Sequence, residues 1–106
     1  MCGFVGFTGN INDGDSVLTR MMDKVVHRGP DSFGKHIDNN INFGFRRLSI
    51  IGLENGNQPI YNEDKSVILV LNGEIYNYAI IKTDLQEKCH IFSTTTDSEV
   101  LVHGYE

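Results

Sequence analysis

Apolar residues along the chain fall in short runs separated by polar, Gly-containing stretches, and their spacing switches between strand-like and helix-like. Residues 3–8, Gly-Phe-Val-Gly-Phe-Thr, predict a short buried strand whose glycines let another backbone or a ligand approach closely. After a turn at 10–14, Val17, Leu18, Met21, Met22 and Val25 recur at helical spacing, with Asp15 or Ser16 as the N-cap and the methionines in the core. His27-Arg28-Gly29-Pro30 should end that helix, because Gly supplies a left-handed exit and Pro cannot continue the hydrogen-bond ladder.

Two strands, 32–37 and 41–48, are expected next as a hairpin across Asp38-Asn39-Asn40. A Gly-, Asn- and Pro-containing loop follows at 52–59. Residues 66–71 contain Val-Ile-Leu-Val-Leu, apolar on both faces, which predicts a central strand covered on both sides in a layered architecture of strands and helices. A second helix is expected over 77–88, with Asn77 as cap and Tyr78, Ile81 and Leu85 on one face, and then a strand near 90–95. Thr96 and Glu99 have capping-box spacing, so a third helix begins there. That helix is still running at Glu106, so the expectation is a fragment whose strands pair with elements outside it.

At 106 residues the chain is long enough for one compact domain, and 40% hydrophobic with 22% charged residues is an ordinary globular balance. The longest apolar run, 67–71, is far short of a membrane span, and the first residues lack a signal peptide's basic and apolar regions, so a cytoplasmic location is the default expectation. The net charge of −5 with scattered Lys and Arg leaves no footprint for nucleic acid or an anionic membrane, which favours a small-molecule partner. The two cysteines form no CxxC pair and should be reduced thiols. Histidines 27, 36, 90 and 103 form no metal-binding spacing, so no metal is expected.

Cys2 is the first residue with chemistry to offer. Its small side chain makes Met1 easy to remove, which leaves one residue carrying both a thiol and a free α-amine. Their ordinary pKa values, about 8.5 and about 7.7–8.0, let the amine take the thiol proton near neutral pH, directly or through a water. An incidental second-position cysteine is the bland alternative. Cys89, between Lys88 and His90, has no feature that marks it as reactive and is taken as structural. Asn72-Gly73-Glu74 follows the most apolar strand, where a side-chain amide and an outward backbone N–H could converge on an oxyanion. A plain Asn-Gly turn is the competing account. Arg46 and Arg47 close the hairpin strand, and a planar guanidinium there suits either a carboxylate clamp or solvent. Asp97 could hold an ammonium or could simply cap the third helix.

Five blocks in order, Met1-Cys2-Gly3, His27-Arg28-Gly29-Pro30-Asp31, Arg47-Leu48-Ser49-Ile50, Asn72-Gly73-Glu74-Ile75-Tyr76-Asn77 and Thr96-Asp97-Ser98-Glu99, resemble the glutaminase domain of glutamine-dependent asparagine synthetases along the whole chain. That resemblance implies an α+β, N-terminal-nucleophile (Ntn) hydrolase fold, a four-layer αββα sandwich of antiparallel sheets, here truncated, with residues 1–106 as the N-terminal part of the domain. It implies Cys2 as the nucleophile that turns glutamine into a glutamyl thioester and ammonia, and Asn72 and Gly73 as the oxyanion site. Arg47 resembles the clamp on the α-carboxylate, with Leu48, Ser49, Ile50 and Ile51 beside it, while Glu74 and Asp97 would hold the α-ammonium. The His-Arg-Gly-Pro-Asp block is expected to be architectural. Gly52 and Thr95 depart from the usual Asp and Gly of the family.

The partner implied is L-glutamine, together with the chain's own C-terminal synthetase domain; homodimerisation is left open. ATP and Mg²⁺ belong to that absent synthetase domain, which adenylates aspartate, and no cofactor is expected within residues 1–106. Two alternatives remain: a divergent amidotransferase with another acceptor, as in surface-polysaccharide synthesis, and a non-catalytic glutamine-binding module if Cys2 is unprocessed.

Overall fold

The computed structural model describes residues 2–49 and 56–106. It is an α+β arrangement with two antiparallel sheets and three helices, β1 (Gly3–Thr8), α1 (Gly14–Lys24), β2 (Ser32–Ile37), β3 (Ile41–Arg47), β4 (Ile60–Tyr61), β5 (Ile68–Leu69), α2 (Tyr78–Glu87) and α3 (Glu99–Tyr105).

The first sheet has the order β1-β3-β2. β3 is central because it is reached twice: the hairpin brings β2 beside it with Ser32 opposite Arg47, and β1 pairs on its other edge with Gly3 opposite Arg46. The hairpin forms where the polar triplet predicts it. Asp38 Oδ1 accepts the N–H groups of Asn40 and Ile41 at 2.7 and 2.8 Å, so the side chain completes the turn that the backbone alone leaves open. β1 forms over the predicted residues but differs in burial. As an edge strand it keeps Gly3 buried while Phe4 remains 50% exposed.

α1 lies on this sheet through Leu18 and Met22, both buried, as the helical spacing predicts. It starts earlier than expected, with Asp13 in a left-handed conformation (φ 57°) as the N-cap and no side-chain capping bond from Asp15 or Ser16. The helix gives way to a single 3₁₀ turn, Val26–Arg28, before Gly29. Gly29 is not a left-handed exit, since its φ is −146°. Its missing side chain serves close packing instead: a Cβ there would overlap the Arg46 carbonyl.

On β2, Gly34 serves the same purpose: a Cβ at that position would overlap the carbonyl oxygen of Gln58, and the Gln58–Pro59 peptide is cis. The chain then enters the second sheet, where Ile60 pairs with Leu69 and Tyr61 with Ile68. Residues 66–71 therefore supply only a two-residue strand, half-buried and paired with one neighbour, rather than a central strand covered on both faces. Its hydrophobic pattern is real, but a central strand needs two pairing neighbours, and among the described residues it has one.

α2 follows its predicted bounds closely and buries Leu85. Residues 90–95 form no strand. Three of their N–H groups are taken by carboxylates: Glu63 Oε1 accepts Ile91 N at 2.9 Å, and Glu99 accepts Ser93 N and Thr94 N at 2.7 Å each. These three donors are thereby drawn away from a strand ladder. α3 packs against β4, β5 and α2, burying Val100 and Val102 with Ile60 in the second half of the core. Glu99 does not close a capping box with Thr96; its carboxylate, 1% exposed, holds the preceding segment.

Candidate functional site

Cys2 sits one residue before β1, and the pairing of β1 with β3 carries it to the place where β3 ends. There Leu48 N–H donates to Cys2 Sγ at 3.4 Å, and the thiol faces the Leu48 carbonyl oxygen at 3.8 Å. The backbone of Cys2 is anchored as well, since its carbonyl accepts Arg28 Nε at 3.1 Å.

The block 27–31 fixes this corner. Arg46 Nε donates to the Gly29 carbonyl at 2.9 Å, Asp31 N–H donates to the Arg47 carbonyl at 3.0 Å, and Asp31 Oδ2 accepts Ser49 N–H at 2.7 Å. Four polar links thus join 28–31 to Cys2 and to 46–49, which accounts for the architectural part that the sequence assigns to this block. Asp31 and Arg28 enter the site as supports rather than as lining groups.

Arg47 ends β3 and is 8% exposed. A buried guanidinium must be hydrogen-bonded, and its Nη1 donates to Asn57 Oδ1 at 3.3 Å. The fork is therefore held by the loop that precedes β4 while its surface lines the cavity beside Cys2.

Asn72 and Gly73 follow β5 but do not form a hairpin turn. β5 ends at Leu69 and the next element is α2, so the Asn-Gly pair lies in an irregular bend. The bend is tied at both ends. Gln58, buried, grips Leu71 like a strand neighbour, with Nε2 donating to the Leu71 carbonyl at 2.9 Å and Oε1 accepting Leu71 N–H at 2.6 Å. Beyond it, Asp97 Oδ2 accepts Ile75 N–H at 2.6 Å. Asp97 is thus not the cap of α3, whose first residue is Glu99. It braces the 72–77 bend.

These supports enclose a cavity of about 490 Å³, lined by Cys2, Arg47, Leu48, Asn72, Gly73, Glu74 and Asp97, together with Phe45, Gly56, Gln58, Leu71, Tyr76, Thr96 and Ser98. Seven of the ten residues expected from the sequence meet in it. Ser49 is adjacent but does not line it, being bonded to Asp31. Ile50 and Ile51 lie outside the described residues, as does Gly52. Thr95 lies at the neighbouring depression formed by Glu74, Tyr76 and Tyr78. Gln58 is the lining residue that the sequence hides: no local pattern marks it, because its partner Leu71 is 13 residues away.

A second cavity, about 560 Å³ between β5, α2 and α3, is apolar and carries no charged side chain. The Cys2 cavity, by contrast, brings together a thiol, a guanidinium, two carboxylates and an amide. The opposed charges suit a zwitterion, a cation for a carboxylate and anions for an ammonium, with the Cys2 thiol lining the same cavity.

Residues 1–106 match the glutamine amidotransferase domain family along their whole length. The glutamine-hydrolyzing asparagine synthetase 1 of Bacillus subtilis (strain 168) is 44% identical over 110 residues, covering 99% of this chain and 17% of the relative. The glutamine-hydrolyzing asparagine synthetase 2 of the same organism is 51% identical over 90 residues, covering 85% and 12%. The glutamine-hydrolyzing asparagine synthetase 2 of Arabidopsis thaliana is 40% identical over 109 residues, covering 100% and 18%. The chain therefore spans less than a fifth of the length of these relatives.

Proposed function

The chain belongs to the glutamine amidotransferase domain family, and on that premise we propose that it hydrolyses L-glutamine to glutamate and ammonia through a thioester on Cys2. The observation that carries this is the gathering of Cys2, Arg47, Asn72, Gly73, Glu74 and Asp97, from four separate stretches of sequence, around one cavity.

Removal of Met1 frees the Cys2 amine, which takes the thiol proton. The thiolate adds to the side-chain carboxamide carbon of glutamine, and the resulting oxyanion is held by the Asn72 amide and the Gly73 N–H. Collapse breaks the C–N bond; the nitrogen leaves as ammonia with the proton the amine had taken. Water then adds to the thioester carbonyl, and cleavage of the C–S bond yields glutamate and the free thiol. Arg47 binds the α-carboxylate bidentately, and Glu74 with Asp97 binds the α-ammonium. Asp97 keeps one oxygen on Ile75 N–H, so the same carboxylate that meets the substrate also shapes the bend bearing Asn72 and Gly73.

The relatives' names extend the proposal. In the longer protein the ammonia supplies asparagine synthesis from aspartate in a C-terminal synthetase domain that uses ATP and Mg²⁺, and residues 1–106 are the first part of a four-layer Ntn glutaminase domain. The test has two steps. Intact mass after exposure to a diazo-ketone glutamine analogue should show loss of Met1 and one adduct on Cys2. In the full-length protein, Cys2→Ala should abolish glutamate release while leaving synthesis from added ammonia; glutaminase activity that persisted would sink the mechanism.

A further inference from the structure

Away from the Cys2 cavity, four side chains converge that are distant in sequence. Glu63 comes from the turn after β4, His90 from the segment after α2, and His103 and Glu106 from α3 and its end. His90 Nδ1 lies 3.2 Å from Glu63 Oε1 and 3.6 Å from Glu106 Oε2, and His103 Nδ1 lies 3.3 Å from Glu63 Oε1. All four ligand-type atoms fall within 4.8 Å of one another.

His103 shows what is unusual here. It is 1% exposed, and its Nε2 is 3.2 Å from Glu99 Oε1. Glu99 in turn accepts the N–H groups of Ser93 and Thr94 and the Ser93 hydroxyl, which fixes its carboxylate beside the ring. With the ring proton on Nε2, facing the Glu99 carboxylate, the Nδ1 lone pair points toward the cluster. That Nδ1 is buried and makes no hydrogen bond, and the group it faces, Glu63 Oε1, is itself an acceptor. Glu63 Oε1 also accepts the Ile91 N–H at 2.9 Å. A lone pair set against a carboxylate oxygen is repulsive unless a cation lies between them.

The spacing is close to that of a tetrahedral cation site. A tetrahedral ion bound at about 2.0–2.1 Å places its ligand atoms about 3.3–3.4 Å apart; three of the six separations here are 3.2, 3.3 and 3.6 Å, and all lie within 4.8 Å. We propose that Glu63, His90, His103 and Glu106 form a binding site for a divalent transition metal of the zinc class. Two imidazoles with two carboxylates suit such an ion, whereas calcium and magnesium prefer oxygen ligands alone. Glu99 is the positioning residue, completing the carboxylate–histidine–metal relay that fixes the ring and its tautomer. Four protein ligands leave no open position, so the ion is structural. It ties the β4–β5 turn and residues 90–94 to α3, the helix that follows Asp97 and Ser98 of the Cys2 cavity.

The test is calorimetric titration of Zn²⁺ into the full chain at neutral pH, in a Cys2→Ser, Cys89→Ser background so that neither thiol competes. One ion per chain and a raised Tm are expected, with no response to Mg²⁺. Co²⁺ in place of Zn²⁺ should show the ligand-field absorption of a tetrahedral N/O site. His90→Ala and the exposed Glu106→Gln should each weaken binding at least tenfold, and Glu99→Gln about 10–100-fold. Should His90→Ala fail to fold, by circular dichroism, Glu106→Gln keeps the comparison. Absence of stoichiometric binding, or binding indifferent to Glu106→Gln, would overturn the site and leave His103 as a plain contact partner of Glu63 and Glu99.

Discussion

Gln58 holds Leu71 by both of its amide atoms, donating to the carbonyl at 2.9 Å and accepting the N–H at 2.6 Å. A side chain thus takes the place of a strand neighbour immediately before Asn72 and Gly73, the two proposed oxyanion donors. Oxyanion stabilisation depends on donors fixed before the reaction begins, so the placement of this bend is itself part of the chemistry.

Gln58→Leu should therefore cost both stability and turnover. It leaves the Leu71 N–H and carbonyl without their partner, worth about 1–3 kcal/mol for an unsatisfied buried group. Displacement of Asn72 by about 1 Å would lower kcat for glutamine about 100-fold, more than it raises KM. Urea unfolding and glutaminase kinetics in the full-length protein check the two parts. A variant with normal kcat would show that the bend is held without Gln58.

Arg47→Lys separates charge from geometry. Lysine keeps the positive charge but loses the planar fork, so KM for glutamine should rise tenfold or more while kcat falls less. Steady-state kinetics decide it; an unchanged KM would remove Arg47 from the carboxylate site.

The turn at Asp38 makes stability depend on acid. Its carboxyl is lowered to about 2 by the hydrogen bond with His36 first, then by the N–H groups of Ile41 and Asn40. A carboxylate whose folded pKa is depressed stabilises the fold above its unfolded value of about 3.9 and loses that contribution as pH falls through the folded value. The urea midpoint should drop as pH is lowered from about 4 toward about 2, and Asp38→Asn should flatten this part of the profile. Parallel profiles for the two proteins would contradict the linkage.

Gly34→Ala tests how closely the chain crosses the first sheet. The added methyl would overlap the Gln58 carbonyl, which is backbone and cannot rotate away, so a loss of about 1–3 kcal/mol is expected, as for an overpacked core. Because the residue displaced is Gln58, glutaminase activity should fall along with the urea midpoint. Full stability would mean that the Gln58–Pro59 segment moves freely off the sheet.

Local chemistry makes much of this protein legible from the order of its residues. Leu18 and Met22 sit at helical spacing and are buried under the sheet, and Asp38-Asn39-Asn40 closes the hairpin because Asp38 can bond its own turn. The motifs at Cys2, Arg47, Asn72 to Glu74 and Asp97 name residue types whose chemistry is readable singly. What the sequence leaves undetermined are the relationships between distant segments. The apolar run at 66–71 says that the segment is to be buried but not how many strands flank it, and residues 90–95 look strand-like while the N–H groups of Ile91, Ser93 and Thr94 go to Glu63 and Glu99. Gln58 has no signal because its partner lies 13 positions away, and His90 and His103, unpatterned along the chain, become neighbours with ring centroids 5.2 Å apart only when α3 folds back onto the β4–β5 turn. Periodicity and capping act over one turn or one strand, so sequence determines them; register, support of the site and convergence of ligands depend on contacts that exist only once the chain has closed on itself.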